Sequence, residues 1–420
     1  MSKLSFEGDA RAMETANAVF QARYLLQVAS QTKAPKVSAP PAMAVFQAPS
    51  IKKTKASTGP LVHALFCLLL TIAGVAAVWN GNHIYGPEMY ATNGMVPAAE
   101  AFARGENYAV FDLNLNIRRL KEETVARLPA TPDVVILGAS HWQEADKSLL
   151  PNYNFYNAHV HRDYWEDLLG VTEILVSHNR LPKKMIISIR DLQFTPLSAR
   201  KDFLWEPGIP YYRAMADRLG IEKEGYIESL PYNRFRALFS LSMLFDNFTR
   251  WYSASERPHA SNDNHFETLD TLLPDGSILW SAKHLKIFTQ ERARREAVAL
   301  ADSRVNTPPK IDPQGVAAFE KLLDYLKAQG VSVYLINPPY NPIYYDRVQG
   351  TPYAEGLAKF EALMKKLSTD HGLPLLGGFN PHKVGCDSSM YIDAEHSNPK
   401  CLKKLLDQFA VLDAAKKVAQ

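Results

Sequence analysis

The sequence predicts an α/β domain built on a doubly wound parallel sheet and preceded by one membrane-spanning helix. Three observations carry this. Residues 61–79 form one apolar run with no charged side chain and only His63 near its start. Short continuous apolar runs recur further on, beginning with Val134-Val135-Ile136-Leu137 between Pro132 and Gly138. Such runs suit strands covered on both faces. Helical stretches separate most of them, and strand–helix–strand repetition means a parallel sheet flanked by helices.

The apolar run is just long enough to cross a hydrocarbon layer of roughly 30 Å as a helix. It is too long and too far from the N-terminus for an ordinary cleaved signal peptide. A buried helix of a soluble protein is the alternative, which would make the chain a soluble lipase-like enzyme. Lys52, Lys53 and Lys55 precede the run, and no Lys or Arg follows it until Arg104. The positive-inside tendency therefore keeps residues 1–60 cytoplasmic and sends the rest across. Trp79 and Tyr85 suit the far interface.

Residues 8–30 carry a helical pattern, and 33–60 are rich in Pro, Ala, Lys and Ser, as in a flexible linker. Residues 80–130 read as a mixed stalk, helical over 113–128. The domain proper is expected over 131–412, with strands at 134–137, 154–157, 185–189, 331–336 and 373–376. Helices are expected over 165–179, 316–329 and 353–371. The interval 195–310 breaks the rhythm and reads as a largely helical insertion, with a hairpin turn at Asp275-Gly276. Its aromatics, Trp205, Tyr211, Tyr212, Trp251, Tyr252 and Trp280, are expected mostly in the core. Residues 413–420 are a tail. The chain has 420 residues, of which 22% are charged, and a formal net charge of +3, so its overall balance offers no footprint for nucleic acid.

Two segments could carry chemistry. The first strand ends in Gly138-Ala139-Ser140-His141, and ligands of open α/β sheets bind beyond the carboxyl ends of the strands. A serine there gains backbone N–H groups for a developing oxyanion, although a turn serine capping the next helix would read the same. Near the C-terminus stands Asp393-Ala394-Glu395-His396. An Asp and a His three apart can share one side of a turn, so the carboxylate can orient an imidazole that takes the serine's proton. Pro399 and a cap at Ser397 or Asn398 open a helix with Leu402, Leu405, Leu406, Phe409 and Leu412 on one face.

A serine ending the first strand and an Asp-x-x-His before the last helix together resemble the SGNH/GDSL hydrolases. The likeness is greatest to the membrane-anchored branch that includes D-alanyl transfer proteins and accessory proteins of polysaccharide O-acylation. The resemblance implies a three-layer α/β sandwich with a flavodoxin-like parallel sheet. It also implies Ser140 as nucleophile, His396 as general base and Asp393 as the third member. By the same resemblance Asn157 ends the second strand near the oxyanion site, and Asp191 ends the third. His141, next to the serine, is a candidate for substrate contact. The chain departs from the family at Ala139, where Asp is usual, at Ala158, where Gly is expected, and in lacking a Gly-x-Asn-Asp block. The implied activity is a serine esterase or O-acyltransferase acting on an extracytoplasmic, periplasmic glycan, with no cofactor. Its expected partners are an acyl-carrying or polysaccharide substrate, the membrane, and a multi-pass acyltransferase or polysaccharide synthesis complex. The alternative is a non-catalytic, membrane-tethered subunit of such a complex. His159, His161 and Asp163 have metal-like spacing, but no second cluster completes a site. Cys386 and Cys401 could pair or remain two separate thiols.

Overall fold

The computed structural model describes residues 59–85, 95–110, 117–161, 163–196, 208–222, 239, 241, 244–245 and 258–419. The pattern at 8–30, nearly all of the 33–60 linker, the three flanking lysines, Trp205, Trp251 and Tyr252 lie outside them. The chain divides into residues 1–63 and 64–420.

The first helix, α1, spans Gly59–Tyr85. Within it Val62–Gly81 has a mean hydropathy of 2.2 and none of that window is buried, so one helix is long and apolar enough to cross a membrane.

Two short helices, α2 (Met95–Ala103) and α3 (Ile117–Arg127), flank strand β1 (Asn107–Val110). These residues are not a stalk. Met95, Ala98, Phe102, Ile117, Leu120 and Val125 are all buried in the main core. The small alanines of α2 allow close packing, and β1 pairs with β5 (His259–Ser261) and β6 (Asp270–Leu272). With β7 (Ile278–Leu279) these make a four-stranded antiparallel sheet in the order β5-β1-β6-β7. The described part of the insertion is therefore mixed rather than largely helical. It also holds α5 (Ile209–Leu219), α6 (Ala282–Ile287) and α7 (Gln290–Arg304). The β6–β7 turn falls at Asp275-Gly276, with Gly276 at φ +84°. A Cβ there would lie 2.3 Å from the Asn157 carbonyl oxygen, so only glycine fits.

The second sheet has five parallel strands: β2 (Val134–Leu137), β3 (Phe155–Asn157), β4 (Lys184–Ser188), β8 (Ser332–Asn337) and β9 (Leu375–Gly377). Their order is β3-β2-β4-β8-β9. Side chains alternate faces along each strand. Val135, Leu137, Met185, Ile187, Val333 and Leu335 pack against α4 (Trp165–Ser177), α8 (Pro313–Ala328) and α10 (Pro352–His371). Val134, Ile136, Ile186, Tyr334 and Ile336 face α12 (Pro399–Ala419), through Leu402, Leu405, Leu406 and Phe409. Each such fully buried side chain contributes roughly 1.5–3 kcal/mol. Leu412 falls outside that face and is 38% exposed.

A repeated local device starts the helices after α7. Asp312, Asn341, Thr351 and Asn380 each cap a first backbone N–H and are followed directly by proline, opening α8, α9 (Pro342–Val348), α10 and α11 (Pro381–Val384). Asn398-Pro399 does the same for α12, with Lys400 N donating to Asn398 Oδ1 at 3.0 Å. The strand order reverses beside β2, and in open sheets of this kind ligands bind beyond the carboxyl ends of the strands at such a point.

Candidate active site

Ser140 follows β2 by three residues and opens a one-turn 3-10 helix, Ser140–Trp142. Gly138 makes the approach possible. A Cβ on it would sit 2.7 Å from Ser188 Cβ on the neighbouring strand. The serine turn is held from three sides. Asn157 Nδ2 donates to Trp142 O at 2.6 Å and to Ala145 O at 3.0 Å. Ile278 N, on β7, donates to Gln143 O at 2.7 Å. Behind Asn157, the buried Lys121 Nζ donates to Asn157 O and Gly276 O, each at 2.6 Å. Burial lowers the Lys121 pKa to about 7, with Asp275 opposing.

Asp393 and His396 lie on the loop between a 3-10 turn at Ser388–Met390 and α12. The loop folds back on itself, with Ile392 N donating to His396 O at 3.0 Å and Asn398 N to Met390 O at 2.8 Å. Asp393 Oδ1 accepts from the backbone N–H groups of Glu395 and His396 at 2.8 and 2.7 Å. Its other oxygen, Oδ2, meets His396 Nδ1 at 2.7 Å, and His396 Nε2 meets Ser140 Oγ at 2.8 Å. Serine, imidazole and carboxylate thus form one hydrogen-bonded chain.

Five ties reach this loop from elsewhere, one of them from Gln290, whose Nε2 donates to Tyr391 O at 3.3 Å. Cys386 and Cys401 are joined, with a Cα–Cα distance of 5.5 Å, and the 15-residue separation they close contains both Asp393 and His396. Asn341 Nδ2 donates to Asp393 O at 3.1 Å. Tyr391 OH donates to Pro339 O at 3.1 Å. Arg304, at the end of the inserted α7, pairs with Glu395 at 2.8 Å. Sequence reading missed Asn341, Arg304 and Glu395 as supports, since each contact joins segments distant in the chain.

The electrostatics suit proton transfer. Burial pushes the Asp393 carboxyl up, but the His396 charge and three hydrogen bonds outweigh it, holding the group well below the usual carboxylate range. For His396, burial lowers the pKa, but the charge and hydrogen bond of Asp393, with the Glu395 charge, together outweigh it and leave it above the ordinary 6.5. A raised pKa keeps the imidazole protonated to higher pH, and only its neutral form can accept the serine proton. Turnover is therefore expected to rise with pH through a midpoint above the ordinary histidine value. Asp393→Asn removes the raising group, so the midpoint should move to lower pH while the plateau falls by roughly 10⁴-fold. A pH–rate profile of both proteins checks this, and an unmoved midpoint would contradict it.

The remaining predicted residues have other placements. Both amide hydrogens of Asn157 are committed to the serine turn, and its Oδ1 faces His159 N and Nδ1 at 3.1 Å. Asn157 is thus a clamp under Ser140, with no hydrogen left for an oxyanion. Asp191 is buried, accepting from Tyr353 OH at 2.5 Å and from Tyr340 OH. His141 lies against His396, with ring centroids 5.2 Å apart. Burial, then the His396 and Arg190 charges, push it down to about 3, so it stays neutral. Glu144, on the serine turn's trailing side, is raised to about 8 by burial against the pull of His396. Among the described residues no three His, Cys, Asp or Glu side chains gather as metal ligands.

The fold and site define an α/β protein with a Ser–His–Asp chain at the carboxyl end of a five-stranded parallel sheet. No protein-family model matches this chain, and no curated protein matches it.

Proposed function

We propose that the protein is a membrane-anchored serine esterase or O-acyltransferase, similar in fold to the SGNH/GDSL hydrolases, acting on an extracytoplasmic polysaccharide or cell-envelope glycan. The observation that carries this is the unbroken chain Ser140 Oγ–His396 Nε2–His396 Nδ1–Asp393 Oδ2. The strand order, second-first-third-fourth-fifth in chain sequence, and helices on both faces support a flavodoxin-like three-layer sandwich. The apolar helix and the lysines before it support a single-pass anchor with the N-terminus in the cytoplasm.

In the proposed reaction Ser140 Oγ attacks the acyl carbon while His396 Nε2 takes its proton. The carbonyl π pair moves onto oxygen, where the Ser140 N–H, which has no backbone acceptor in its turn, can meet it. The pair then returns, the ester C–O bond breaks, and His396 returns the proton to the departing alcohol. Asp393 holds the imidazole's tautomer and balances its charge throughout. Water or a sugar hydroxyl, deprotonated by His396, releases the acyl group from Ser140. The anchor favours transfer within a membrane assembly, because a scavenging esterase has no need to remain at the membrane. The test is turnover of an acetylated oligosaccharide and of a chromogenic acetyl ester by the full chain in detergent. Release or transfer of acetate supports the reading, whereas a folded protein that turns over neither would favour the non-catalytic subunit.

A further inference from the structure

The hydrogen-bonded chain accounts for the nucleophile and base but leaves the oxyanion one donor short. The Ser140 N–H is a single group, and the Asn157 amide is fully committed. Arg190 supplies what is missing in position, exposure and charge.

Strands β2 and β4 run parallel in the register Val134↔Lys184 to Leu137↔Ile187. One step past the last ladder pair Gly138 lies against Ser188, and Ser140 and Arg190 each follow two residues later, beyond the carboxyl ends of neighbouring strands where the strand order reverses. The Arg190 charge acts on both imidazoles of the site, His141 and His396. The Arg190 side chain is only partly exposed. Its Nε is buried and has no hydrogen-bond partner. Among the described residues its guanidinium forms no ion pair. The nearby carboxylates are engaged elsewhere or do not bond to it. Glu395 pairs with Arg304, and Asp191 is capped by Tyr340 and Tyr353. Asp163 is buried, and no hydrogen bond or ion pair joins it to Arg190. A half-buried guanidinium left without an acceptor loses hydration with no return unless something else occupies it.

We infer that Arg190 is a catalytic residue of this site, its guanidinium donating to the carbonyl oxygen of the bound ester as that oxygen becomes an oxyanion. The inference rests on the acyl-transfer reading above. Ser140 Oγ bonds to the acyl carbon, its proton moves to His396, and the carbonyl pair becomes a full negative charge on oxygen. Arg190 and the Ser140 N–H hold that charge until the pair returns and the alcohol leaves with the proton. A cation aimed at the developing charge acts more strongly than a neutral amide. The field of Arg190 reaches His396 as well, as one of the influences opposing its raised pKa.

The test uses the full chain in detergent with a chromogenic acetyl ester, wild type first. Arg190→Met should lower kcat by about 10²–10³-fold with KM changed little, because the interaction forms only in the transition state. Added guanidinium ion should restore part of the lost rate in Arg190→Met and have no such effect on Ser140→Ala. Arg190→Gln, which keeps a neutral donor, should fall between and serves if the Met variant does not fold. Wild-type turnover with kcat retained in the variants, or a loss confined to KM, or no rescue, would overturn the inference while leaving the esterase reading intact. A wild type that turns over no ester would overturn both.

Discussion

His396→Ala is expected to lower acetyl-ester turnover by about 10⁴- to 10⁶-fold, and Ser140→Ala by a similar factor. The serine hydroxyl is too weak a nucleophile alone, and among the described residues the base within hydrogen-bond reach of its Oγ is His396 Nε2, at 2.8 Å. Because the two act in one step, the double variant should lose no more than either single one. Both side chains are partly exposed rather than part of the core, so the unfolding midpoint of each variant should stay near that of the wild type. A His396→Ala protein that retains turnover within tenfold would mean another base serves Ser140 and would break the proposed mechanism.

Removing the disulfide is expected to weaken both the fold and the site. Cys386→Ser with Cys401→Ser opens a loop closed over 15 residues, a constraint worth about 3 kcal/mol in the chain-entropy account. The loop so released is the one that carries Asp393 and His396. Its remaining ties are the Gln290, Asn341, Tyr391 and Arg304 contacts, none of them covalent. Turnover should therefore fall by more than the loss of folded protein explains, since misplacing a base by about 1 Å costs roughly 10²-fold. Denaturant unfolding and initial rates on the same samples separate the two effects. Equal stability and equal rate in the double variant would show that the loop is held by its other contacts.

The parallel sheet was legible in the sequence because its strands are covered on both faces, and such strands read as unbroken apolar runs. Val134–Leu137 matches its predicted bounds, and the others lie within a few residues of theirs. The antiparallel sheet was not legible. Its strands are two to four residues long, and β1 finds its partners beyond residue 258, so neither length nor local alternation announces them. For the same reason residues 95–127 read as a stalk, although the core encloses them.

The candidate site divides along similar lines. Asp393 and His396 are legible because their contact is local, the aspartate capping the turn that holds the histidine. Ser140 is legible from its place after the first strand. Asn157 misleads, since an amide at a strand end looks like a donor to a ligand, whereas its partners are carbonyls of the serine turn. Arg190 gave no signal as a lone charged residue. Only the folding of β2 and β4 side by side brings its charge to His141 and His396.

Covalent capture shows directly whether Ser140 is an activated nucleophile. The full chain in detergent is treated with a fluorophosphonate, and the modified peptide is located by mass spectrometry. One adduct is expected on Ser140, absent from Ser140→Ala and strongly slowed in His396→Ala. A folded protein that takes no label, or takes it on another residue at the wild-type rate, would contradict it.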